Sequence, residues 1–163
     1  MSNTNAPDKS LRDHLVSVLD SSHAHADFAA TVGGVPEALR GVRPQGLPYS
    51  LWELLEHLRL AQWDILEFSR DPKHVSPKWP EEYWPKSPEP PDAAAWEQSI
   101  ATFRRDLQAM RELVADPQSD LHAAFPHGDG QTLLREALLV ADHNAYHLGQ
   151  MVLVRRLLGC WPV

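Results

Sequence analysis

Residues 137–154 read ALLVADHNAYHLGQMVLV, and this stretch decides the fold. It is 18 residues long and mostly apolar, yet Asp142, His143, Asn144, His147 and Gln150 interrupt it. Such polarity is costly in lipid, so the stretch reads as a buried bundle helix and not as a membrane span. His143 and His147 stand four residues apart, which puts both imidazoles on one face, one turn from each other. Val140, Val154 and Leu158 share that face, so it points inward. The helix is expected over 131–158, with Pro126-His127-Gly128-Asp129-Gly130 as the turn before it and Gly159 closing it.

Working backwards, a third helix starts at the N-cap Asp92 and ends near Ala115, before Asp116-Pro117. Residues 71–91 hold seven prolines, and no helix persists through that density. This segment is expected to be a long ordered loop or a mobile flap. Trp79, Tyr83, Trp84 and Pro85 within it would form either an aromatic lid or extra core. The second helix opens at Ser50, with Glu53 at capping-box spacing, and runs to about Ser69. A first helix is expected over 9–32, stopped by Gly33-Gly34, with a Gly/Pro-rich connection at 41–48. No stretch alternates with period 2, so no strand is expected. The fold class is all-α, a four-helix bundle with long connections, in one domain spanning 1–163.

The second helix carries the apolar stripe Leu51, Leu54, Leu55, Leu58, Ala61 and Ile65, with His57 on its edge. Bundles commonly build metal sites from ligands on facing helices. Three protein ligands and one open position suit a catalytic divalent ion. His57, His143 and His147 are therefore the candidate metal ligands. The competing reading is that they are hydrogen-bonded core residues. Glu136, Tyr146, Gln150 and His127 are the candidate residues around the ligands. Glu136 shares the face of His143 and would take its second N–H; His127 would sit at the bundle mouth as an acid or base. Asp142 points away from that face. His23 and His25 point to nearly opposite faces of the first helix, so at most one looks into the site; His14, His74 and His122 have no evident partner.

The segments Ser50-Leu-Trp-Glu-Leu-Leu-Glu-His57-Leu, Gly128-Asp-Gly-Gln131-Thr132-Leu and Asp142-His143-Asn-Ala-Tyr-His147-Leu-Gly-Gln150 resemble the DinB/YfiT-like superfamily. The resemblance covers nearly the whole chain. It implies an up-down-down-up four-helix bundle and a metal, zinc or nickel, held at the positions of His57, His143 and His147. It also implies an activity among thiol-dependent S-transferases, a thiol-using isomerase and metal-dependent hydrolases, with a low-molecular-weight thiol as a possible co-substrate. Subunits in the family often pair, so a homodimer is expected.

An ion on three neutral imidazoles would acidify a bound water or thiol, and the ligand set alone does not choose between them. The chain then reads as a metal-dependent transferase or hydrolase acting on a small molecule. The alternative is a non-catalytic metal- or ligand-binding stress-response protein, and a third reading is a purely structural bundle. The net charge is −7 and no basic cluster is present, so nucleic acid is not an expected partner. Cys160 is the single cysteine and Met1 to Asp13 lack an apolar run, so a reducing, cytoplasmic location is expected.

Overall fold

The computed structural model describes residues 6–20 and 23–162. It is all-helical: α1 (Ala6–Leu19), α2 (Phe28–Val32), α3 (Leu51–Arg70), α4 (Ala93–Ala115) and α5 (Leu133–Leu157). Short 3-10 turns lie at Glu37–Leu39 and Glu81–Tyr83. Among the described residues the β geometry is limited to one isolated bridge, Ala124 with Thr132. No helix among them is long and apolar enough to cross a membrane.

Local chemistry sets the helix starts. The Ser50 hydroxyl accepts from the Glu53 N–H at 3.2 Å, and the Glu53 carboxylate accepts from the Ser50 N–H at 2.9 Å. This reciprocal capping box satisfies two orphan donors at the head of α3. The same carboxylate is held by Arg43, whose Nε donates at 2.8 Å, and Arg43 holds its carboxyl below the usual range even though burial pushes it up. Asp92 caps α4 by accepting from the Ala95 N–H at 2.7 Å, and Thr132 caps α5 by accepting from Arg135 at 3.2 Å. Gly159, at φ +68°, follows the end of α5 in a conformation that side chains rarely adopt.

The expected first helix over 9–32 is a correction. The chain leaves helix after Leu19, turns, and re-enters helix only at α2. Asp27 starts that second piece, because its carboxylate accepts from the Ala30 N–H at 2.7 Å. His23, expected on the helix, lies in the turn with its Nε2 2.6 Å from the Ser17 hydroxyl. Asp side chains offer the backbone alternatives to the helical ladder, and Asp27 uses its own to begin a separate helix. Ser21 and Ser22 lie outside the described residues.

The helix α3 packs against α4 and α5, and α1 packs against the same two. Two apolar clusters result. One gathers Phe28, Trp52, Leu55, Trp96, Phe103 and Met151; the other gathers Leu15, Leu66, Met110, Leu121, Leu133 and Val140. Polar side chains on α3 and α5 sit between them. Gln62 is fully buried, accepts from the Asn144 amide at 2.9 Å, and donates to the Phe103 carbonyl at 2.8 Å. The Asn144–Gln62 bond, buried between the two helices, favours one register of α3 on α5.

The loop at 71–91 is folded onto the bundle. Tyr83 is buried, and the Pro88 carbonyl accepts from the Ser50 hydroxyl at 2.6 Å. A Cβ at Gly41 would stand 2.9 Å from the Glu89 Cα, too close to the loop backbone. Gly41→Ala is therefore expected to displace this segment and lower stability by roughly 1–3 kcal/mol, the usual range for overpacking. Urea denaturation measures this.

Candidate metal centre

The register of α3 on α5 brings three imidazoles to one point. His57 and His147 are buried and His143 is partly buried. One ring nitrogen from each lies within 4.8 Å of the others. His57 Nε2 and His143 Nε2 are 3.1 Å apart. Ring centroids are 4.9 Å apart for His57 and His143, 4.6 Å for His57 and His147, and 4.5 Å for His143 and His147.

Two of the rings are oriented by their other nitrogens. His57 Nδ1 lies 2.9 Å from the Tyr83 carbonyl, which can only accept, so Nδ1 carries the proton and the Nε2 lone pair faces inward. His147 Nδ1 donates in the same way to Gln150 Oε1 at 2.7 Å. Second nitrogens bound to carbonyl acceptors are the usual support of metal-binding histidines. Nitrogens around a tetrahedral zinc, at bond lengths near 2 Å, stand about 3.3 Å apart, close to the His57–His143 separation. The donor set fits an imidazole-preferring ion such as zinc or nickel. No carboxylate belongs to the cluster, so nothing in it favours magnesium or calcium.

Burial and mutual repulsion keep the rings neutral. Burial, then the charges of His147 and His57, push His143 down to about 3. Burial and His57 push His147 down to about 4, although its bond to Gln150 acts the other way. Burial also lowers His57, against the Tyr83 carbonyl. Neutral imidazole is the form a metal needs. It also fixes the sign of a pH effect in metal-free protein. The ordinary histidine value is 6.5 and the folded values are lower, so the contribution is complete above about 6.5 and is lost as pH falls toward 4 and 3. The urea midpoint of metal-free protein is expected to drop between pH 7 and pH 4.5, and to drop less in His143→Ala. A larger drop in the variant would show that this cluster does not drive the effect.

The aromatic loop residues separate into different roles. Trp84 stacks on His57, with centroids 3.9 Å apart and planes 2° from parallel. Trp79 is tilted at 6.3 Å from His57 and is 69% exposed. Tyr146 is 64% exposed with its ring 4.9 Å from His147. Gln150 thus meets His147 directly, and Tyr146 stands at the edge of its ring.

Glu136 and His127 stand elsewhere. Glu136 is buried, but its carboxylate accepts from Arg135 at 2.5 Å and lines a cavity of about 210 Å³ with Asp64, Phe68 and Ser76. Seven residues restore the helical angle to His143 yet separate the two by about 10 Å along the axis, which is why a shared face did not mean contact. His127 donates or accepts no bond near the site; its Nε2 lies 2.8 Å from the Phe68 carbonyl, among Phe68 and Phe125. Phe68 is eleven residues beyond His57 on α3, roughly 16 Å along the helix. Asp142 is exposed, as are His14, His23, His25 and His122. The sequence reading did not find the Tyr83 carbonyl, because a backbone acceptor leaves no mark in residue type.

A family model described as DinB superfamily matches residues 22–151, a span that includes all three histidines. Comparison with curated proteins and with solved structures gave no match. An all-helical fold, a histidine trio gathered between α3 and α5, and a family match over most of the chain agree: this chain belongs to the DinB superfamily.

Proposed function

We propose that this chain is a metal-dependent enzyme in which His57, His143 and His147 hold one divalent ion, zinc or nickel. The observation that carries the reading is the convergence of three neutral imidazoles, two with their outer nitrogens tied to carbonyl oxygens. When bound, the ion would supply Lewis-acid chemistry, making a water or a low-molecular-weight thiol nucleophilic near neutral pH. The three imidazoles carry no charge of their own and so leave the ion's charge undiminished. Three protein ligands leave one position open to a small molecule. Trp84 shields one face of His57 from solvent, which strengthens the local field. The exposed rings of Trp79 and Tyr146 offer apolar contact to a substrate approaching His57 and His147. The reaction is thiol transfer or hydrolysis of a small molecule.

Elemental analysis of protein prepared without a histidine tag is the direct test. About one equivalent of zinc or nickel is expected. Cobalt-substituted protein should show a visible spectrum that changes when a small thiol such as 2-mercaptoethanol is added. Protein that neither retains nor takes up a stoichiometric transition metal would remove the basis of the reading.

A further inference from the structure

His57 is tied to a network that starts two turns further along α3. Asp64 is nearly buried, and both its oxygens are engaged. The His74 ring nitrogen Nε2 lies 2.7 Å from Asp64 Oδ1, and the Tyr83 hydroxyl donates to Asp64 Oδ2 at 2.5 Å. His74 and Tyr83 both belong to the loop at 71–91, so one helical carboxylate grips that loop at two places. The His74 ring also meets Trp63 edge-on at 5.2 Å, which fixes the near end of the loop on α3. Tyr83 then reaches back with its carbonyl to His57 Nδ1, and the next residue, Trp84, lies flat on the His57 ring.

We propose that Asp64 is a positioning residue for the metal centre: it latches the loop through His74 and the Tyr83 hydroxyl, and so presents the Tyr83 carbonyl and the Trp84 ring to His57. The proposal rests on His57 being a ligand only for its consequence in affinity; the orientation of His57 is a property of the metal-free chain. The geometry explains why a backbone carbonyl in a Pro-rich loop can orient a ligand. A loop carbonyl with no side-chain anchor would lose entropy on being fixed; here the phenol of the same residue is already held by a buried carboxylate. A carbonyl acceptor selects the Nδ1–H tautomer of His57 and turns the Nε2 lone pair toward His143 and His147.

The test uses Tyr83→Phe, which removes one hydroxyl and keeps the backbone, and Asp64→Asn, with Val75→Ala as a control at an 84% exposed loop position. The first readout is the ¹⁵N tautomer state of His57 in metal-free protein at pH 7.5. Wild type and Val75→Ala are expected to show a single Nδ1–H form, and Tyr83→Phe a mixture of tautomers. The second is zinc affinity by competition with a chromophoric chelator, expected to weaken about tenfold in Tyr83→Phe and Asp64→Asn, at the lower end of the usual effect of removing support from a ligand. If Asp64→Asn fails to fold, Tyr83→Phe alone decides. Folded Tyr83→Phe with an unchanged His57 tautomer and zinc affinity within twofold of wild type overturns the latch. Absence of both zinc and nickel binding in wild type overturns the proposed function, and the tautomer measurement still decides the latch.

Discussion

Replacing His147 or His143 with Ala is expected to weaken zinc binding by more than about 100-fold, measured by chelator competition. The lower bound comes from the 10–100-fold cost of removing only an outer hydrogen bond from a ligand. Deleting the ligand itself also leaves a two-coordinate site, which suits none of the ions that imidazole prefers. Thermal unfolding gives an independent measure. A ligand present at 100 times its dissociation constant stabilises the folded state by about 2.7 kcal/mol, which for a chain of this size is a rise of roughly 5–11 °C. Wild type should show that rise with added zinc, and both variants should lose it. His127→Ala is the comparison, because that ring hydrogen-bonds the Phe68 carbonyl roughly 16 Å along α3 from His57. Equal loss of zinc in His127→Ala and His147→Ala would contradict the proposed ligands.

The second large effect is on stability. Arg155 is 1% exposed, and its guanidinium donates to the carbonyls of Ala30 at 3.0 Å, Thr31 at 2.8 Å and Cys160 at 2.8 Å. It therefore ties the end of α5 to α2 and to the segment after Gly159. Arg155→Leu keeps an apolar stem but leaves three carbonyls without a donor, at about 1–3 kcal/mol for each that stays buried. A loss of at least about 3 kcal/mol is expected in urea denaturation, a large part of the stability of a single domain. Arg155→Lys should recover little, because an ammonium cannot span three acceptors as a planar fork does. Arg156→Leu, next along the chain and exposed, should change stability by under about 0.5 kcal/mol. Similar losses in the two leucine variants would mean that the carbonyl contacts of Arg155 carry no weight.

Much of the scaffold was legible in the residues because its causes are local. Ser50 with Glu53, Asp92 before its alanines, and Gly159 after α5 act through bonds spanning a few residues, and each ended or began a helix where expected. The same holds for His143 and His147, since four residues on a helix place two side chains on one face whatever the rest of the chain does. The first helix departs from the expectation because Asp27 caps a separate piece, through which Phe28, Val32 and the hydrogen-bonded Thr31 find their own place on the core.

Sequence by itself determined which side chains are chemically able to hold a metal and how the two on α5 stand to each other. Only the tertiary structure decided that His57 meets them, that the Tyr83 carbonyl and Trp84 hold its ring, and that Glu136 and His127 do not reach it. The physical reason is that helix periodicity fixes angles around one axis. Distances between helices, and the path of a Pro-rich loop across them, depend on packing and on buried partners such as Gln62 with Asn144 and Asp64 with Tyr83, which lie 82 and 19 residues apart in the chain.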